Sequence, residues 1–103
     1  MDARILYMED DNLTATLVLR RLQNNGFIIH HVENGAEGLQ ALEQSTYDLV
    51  LSDYDMPELN GLDVLRRLMA DETPIPAYIF LTGQGDEDIA VEAMKLGASD
   101  YVG

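Results

Sequence analysis

The chain is 103 residues long, 47% hydrophobic, and carries 6 Lys and Arg against 19 Asp and Glu, a net charge of −13. That describes one small globular domain, too acidic for direct nucleic-acid contact or attraction to an anionic membrane surface. With no cysteine, disulfides, thiolate zinc sites, iron–sulfur clusters and cysteine nucleophiles are excluded together; no apolar run approaches the roughly 18 residues of a membrane span, and Met1 leads into no secretion signal, so the cytoplasm is the expected compartment.

Residues 5–8 read as a first strand. A helix follows over about 13–25, with Asn12 as its N-cap, Gly26 past its end, and Leu13, Leu17 and Leu22 toward the core. Residues 27–32 form the second strand, where His30 and His31 point to opposite faces and read as ordinary strand residues. A second helix spans about 36–44 and a third strand 49–52. The third helix, about 62–70, carries Leu62, Leu65, Leu68 and Met69, and residues 73–76 break the chain before a fourth strand at 77–82. A fourth helix over about 87–96 sets Ile89, Ala93 and Met94 on one face and closes at Gly97. A strand stub at 101–102 comes last.

Most of these strands are apolar on both sides, the pattern of parallel strands covered by helices on two faces. Strict alternation of strand and helix then implies right-handed crossovers and an α/β fold. For five strands the flavodoxin-like order 2-1-3-4-5 is the expected solution, with a ligand crevice at the carboxyl ends of strands 1, 3 and 4.

Strand 1 runs out into Glu9-Asp10-Asp11, strand 3 into Asp53-Tyr54-Asp55 and strand 4 into Thr82-Gly83. Adjacent strands lie roughly 5 Å apart, so Glu9, Asp10 and Asp53 converge where unpaired negative charge needs a cation. All-oxygen ligands in an open crevice suit a hard divalent ion, magnesium or manganese rather than an enclosed calcium. Asp11, Glu58 and residues 86–88 read instead as solvated loop tips or helix caps. No Gly-rich loop follows strand 1, and Gly83-Gln84-Gly85 is too short for a phosphate-cradling fingerprint, which argues against nucleotide binding.

Four segments in order, residues 5–11, 48–57, 81–83 and 97–102, resemble the receiver domains of two-component response regulators over the whole chain. The resemblance implies a phosphorelay function: Asp53 as phosphoacceptor, Glu9 and Asp10 as the acidic pair holding magnesium, and Asp55 as the backbone carbonyl that joins the metal. It also implies Thr82 as the hydroxyl that turns toward the phosphoryl group and Tyr101 as the ring that follows it. Gly61 resembles the glycine opening the third helix, and Met56-Pro57 the turn beside the acceptor. A histidine kinase or phosphotransfer protein is the implied donor, and the domain is a signalling phosphoacceptor rather than an enzyme. An aspartyl phosphate is chemically sound, since the carboxylate is the nucleophile and the metal neutralises phosphoryl oxygens.

Two other readings stand beside it. One is a receiver-like docking module that is not phosphorylated. The other is a haloacid-dehalogenase-like phosphatase, suggested by Asp53-x-Asp55 but weakened by Pro57, where that family carries Thr or Val. The receiver family also places a lysine and a fifth helix after the last strand, so by that resemblance the receiver domain is expected to be incomplete at its carboxyl end. On that expectation Tyr78, Phe80 and Val102 are left open, and self-association follows.

Overall fold

Three of the helices begin where a short polar side chain captures a free backbone amide. Asp11 caps α1 (Asn12–Asn24), Asn34 caps α2 (Gly35–Gln44), and Asn60 with Asp63 forms a reciprocal capping box at α3 (Gly61–Ala70). A fourth helix, α4, spans Glu87–Leu96. The strands between them are β1 (Arg4–Met8), β2 (Ile28–Val32), β3 (Leu49–Asp53), β4 (Ala77–Leu81) and β5 (Asp100–Val102). The computed structural model describes residues 3–72, 74–81 and 87–102.

All four strand pairings are parallel and the sheet order is β2-β1-β3-β4-β5, the expected flavodoxin-like arrangement. Its faces are covered unequally. Leu6, Met8, Val50, Tyr78 and Phe80 meet Ala41 of α2, Leu62, Val64, Leu65 and Leu68 of α3, and Ala93 of α4. On the opposite face Ile5, Tyr7 and Leu51 meet Ala15, Val18, Leu19 and Leu22 of α1. Fully burying one such aliphatic or aromatic side chain is worth about 1.5–3 kcal/mol, so the three-helix side holds most of the core.

Several expectations are corrected. Asp11, not Asn12, is the N-cap of α1: its backbone is extended and its side chain accepts the Thr14 N–H. The core stripe of α1 is Ala15, Val18, Leu19 and Leu22, while Leu13 and Leu17 are 72% and 58% exposed. The helix is apolar on more than one side, so two stripes satisfy the same period, and moving the cap by one residue does not choose between them. Met94 is 40% exposed although Ala93 beside it is fully buried, and Met69 is also exposed.

The expectation for β4 fails by parity. Tyr78 and Phe80 are completely buried beneath α3 and α4, and the Tyr78 hydroxyl donates to the Gly61 carbonyl at 2.8 Å. The less covered side of this strand carries Ile79 and Leu81, with exposed Val102 paired to Leu81.

Candidate metal centre

The register sets the site. Met8 pairs with Ser52, so the next residues, Glu9 just past β1 and Asp53 at the last position of β3, still paired with Leu81, stand side by side at the carboxyl edge of the sheet. Glu9 remains tied to β2, its N–H donating to the Val32 carbonyl at 3.0 Å. Its own carbonyl accepts from His31 Nε2 at 2.8 Å. Glu9 as a residue is only 5% exposed, and its Oε2 accepts the Asp11 N–H at 3.3 Å. Asp10 is exposed and Asp53 half-buried. One carboxylate oxygen from each of Glu9, Asp10 and Asp53 lies within 4.8 Å of the others.

These three residues, with Asp11, Thr14, Asp55 and Leu81, line an open crevice of about 440 Å³. Asp11 is engaged in its capping role, accepting from both the amide and the hydroxyl of Thr14. Those bonds hold its carboxyl below the usual range. Asp55 is an exposed part of the lining. Thr82 and Gly83 lie outside the described residues. Tyr101 is placed by its backbone opposite Phe80, and its ring lies outside what is described.

Burial pushes the Glu9 carboxyl up to about 7, assisted by the negative charge of Asp53 and opposed by the Asp11 amide. Asp53 is raised in the same direction, chiefly by burial, against the hydrogen bond it shares with Glu9 and the Tyr54 amide. Both groups resist ionisation because carboxylates are crowded where water is partly excluded. Among the described residues the ion pairs are Arg66 with Asp63 and Arg66 with Glu92, so none reaches this cluster. Three converging carboxylate oxygens with open space for water fit a hard divalent cation that keeps part of its hydration shell.

The floor beneath Asp53 is closely packed. Ser52 is fully buried and its Oγ donates to the Asp53 carbonyl at 2.8 Å. Gly61 donates its N–H to the Tyr54 carbonyl at 3.1 Å. A Cβ at Gly61 would stand 2.4 Å from Ser52 Oγ and 2.5 Å from the Asp53 carbonyl oxygen, so α3 approaches the site as closely as it does only because this residue is glycine. The loop closes further on, where the Gly35 N–H donates to the Leu59 carbonyl at 3.0 Å.

Sequence reasoning treated His31 as an ordinary strand residue and did not single out Ser52 or Tyr7. His31 sits opposite Tyr7 in the parallel register, with ring centroids 5.5 Å apart. Tyr7 is fully buried and, among the described residues, its hydroxyl finds no hydrogen-bond partner. Burial first, and then the charges of Glu9, Asp53 and Asp11, push its ionisation well above the ordinary range for tyrosine. Given the strand order, a polar side chain one residue before the end of β2 is the signal that would have pointed to His31.

Comparison with known proteins agrees with this geometry. Residues 5–103 match the family model described as the response regulator receiver domain. The transcriptional activator protein IrlR of Burkholderia pseudomallei is 40% identical over 100 residues, covering 96% of this chain and 42% of that protein. The cell cycle transcriptional regulator CtrA of Caulobacter vibrioides is 35% identical over 99 residues, covering 96% and 42%. The chain thus spans under half the length of these curated relatives. Among solved structures, a response regulator receiver domain protein from Clostridium thermocellum superposes with a TM-score of 0.88 at 35% identity, covering 97% of this chain and 80% of that one. The receiver domain of the Francisella response regulator 1452 gives 0.90 at 25% identity, covering 98% and 83%.

Proposed function

We propose, because this chain belongs to the response regulator receiver domain family, that it works in phosphorelay signalling by accepting a phosphoryl group on Asp53. The observation that carries the reading is the convergence of Glu9, Asp10 and Asp53 within 4.8 Å at the carboxyl edge of β1 and β3. Glu9, Asp10 and Asp53, with the backbone carbonyl of Asp55, would hold magnesium or manganese. A bound ion there supplies positive charge to the carboxylates and to the phosphoryl oxygens.

The donor is a phosphohistidine on a kinase or phosphotransfer protein. A carboxylate oxygen of Asp53 attacks phosphorus, the new P–O bond forms as the P–N bond breaks, and the electron pair leaves with the imidazole. Asp53 must be ionised to attack. The buried Ser52 hydroxyl holds the Asp53 carbonyl and the Gly61 N–H holds that of Tyr54 next to it, so the carboxylate is presented to the crevice at little entropic cost.

Readout falls to Thr82 and Tyr101 through the resemblance to the family. The Thr82 hydroxyl bonds the new phosphoryl oxygens, and Tyr101, on the strand beside β4, follows into the space it leaves. The domain is a stoichiometric acceptor with an output surface rather than an enzyme with turnover.

The test is intact-mass spectrometry after incubation with a small acyl phosphate and magnesium. One phosphoryl adduct is expected on the parent and none on Asp53→Asn. Label that survives Asp53→Asn moves the acceptor elsewhere, no label at all supports the unphosphorylated docking module, and steady hydrolysis of phosphomonoesters supports the dehalogenase-like phosphatase.

A further inference from the structure

The peptide joining Glu9 to Asp10 fixes the directions in which both carboxylates leave the backbone. Beyond Met8 this peptide has lost the sheet, since β1 pairs with β2 only as far as Met8 and Val32. Its carbonyl is instead held by a side chain: His31 Nε2 lies 2.8 Å from the Glu9 oxygen, in a partly buried position, from a residue 22 places away in the chain. A carbonyl can only accept, so Nε2 carries the proton, which selects one tautomer of the neutral ring.

The ring is braced as well. Tyr7 is the cross-strand partner of His31, and the two rings pack at 5.5 Å with 37° between their planes. Tyr7 is fully buried against Ala15 and Leu51 in the α1-facing core. The chain of contact therefore runs from the core through Tyr7 and His31 to the Glu9–Asp10 peptide.

We propose that His31 is a positioning residue for the metal centre: its Nε2–H anchors the Glu9 carbonyl and so orients the carboxylates of Glu9 and Asp10 toward Asp53. This rests on the reading of Glu9, Asp10 and Asp53 as a divalent-cation site. It acts through backbone orientation, in the way outer-shell hydrogen bonds orient the ligands of known metal sites.

Manganese binding, followed through the free-ion paramagnetic signal, tests it without any phosphodonor. His31→Leu deletes the donor, whereas His31→Gln keeps an amide N–H at the same number of bonds from Cβ. His31→Leu is expected to weaken manganese binding about tenfold or more, as lost outer-shell partners do, with His31→Gln within about threefold of the parent. A merely structural role predicts instead that affinity ignores the donor. Equal affinity in parent and His31→Leu, or equal loss in His31→Leu and His31→Gln, overturns the proposal.

Imidazole nitrogen spectra of the parent give a second measurement that needs no variant to fold. The Nε2–H tautomer is expected at His31, and a predominant Nδ1–H tautomer overturns the proposal. Failure of the parent itself to bind manganese sinks the metal-site reading and this inference with it, an outcome distinct from intact binding that His31→Leu leaves unchanged.

Discussion

Raising the pH of the metal-free protein should destabilise it over the window in which Glu9 gives up its proton. The folded-state carboxyl titrates near 7 against 4.5 in the unfolded chain. The folded form therefore binds that proton more tightly, and the associated stability is fully present below about pH 4.5 and lost as pH rises through about 7. At about 1.4 kcal/mol for each tenfold in the protonation constant the displacement is worth near 3 kcal/mol; water entering the open crevice screens it to about 2 kcal/mol. Magnesium should oppose the loss, since a cation replaces the proton, and an excess of about 100 times its dissociation constant returns roughly 2.7 kcal/mol. Urea melts across this pH range, in chelator and in magnesium, read both effects. The acidic chain has a general self-repulsion that also grows with pH, so the decisive quantity is the difference between the parent and Glu9→Gln. That difference should change by about 2 kcal/mol between the two ends of the window. A pH-independent difference would refute the argument that burial among carboxylates governs Glu9.

Two further substitutions separate packing from polarity. Gly61→Ala drives a methyl group into the Asp53 carbonyl and Ser52; overpacking at about 3 kcal/mol against roughly 1 kcal/mol of helix propensity leaves a net loss of about 2 kcal/mol in a urea melt, and unchanged or increased stability contradicts the close approach of α3. Tyr7→Phe removes a buried hydroxyl that is unpartnered among the described residues while keeping the ring, and should stabilise the fold by about 1 kcal/mol in thermal melts, whereas a loss of stability would show that the hydroxyl is satisfied.

The acidic site was legible because it follows from topology. Once the strands are parallel and in the order 2-1-3-4-5, the residues at the carboxyl ends of β1 and β3 must meet, and Glu9, Asp10 and Asp53 do. The faces of the elements were less legible. β4 reads Ala-Tyr-Ile-Phe-Leu, apolar at every position, so its sequence carries no parity and cannot say that Tyr78 and Phe80 rather than Ile79 and Leu81 lie beneath α3 and α4. α1 has the same ambiguity in helical form, where Leu13 and Leu17 compete with Ala15, Val18, Leu19 and Leu22. His31 escaped notice for a different reason. Its role depends on a side chain reaching a backbone oxygen across two strands, and a pattern of residue types along the chain does not contain backbone oxygens.

The loop that follows Asp53 is fastened at both ends by peptide groups. The Gly61 N–H holds Tyr54 and the Gly35 N–H holds Leu59, and at both glycines an added Cβ would collide with backbone oxygen. Neither clasp uses a side chain of the loop, so the backbone is tied at both ends whatever those side chains are, while Met56 between them is buried in the core. Pro57 and Glu58 are both exposed between the clasps, but Glu58 sits at φ 67°, a left-handed conformation that proline cannot adopt, so the freedom to exchange residues lies at position 57 rather than 58. Position 57 is therefore where the surface beside Asp53 can change without disturbing either clasp, with the two glycines as the fixed terms of that freedom.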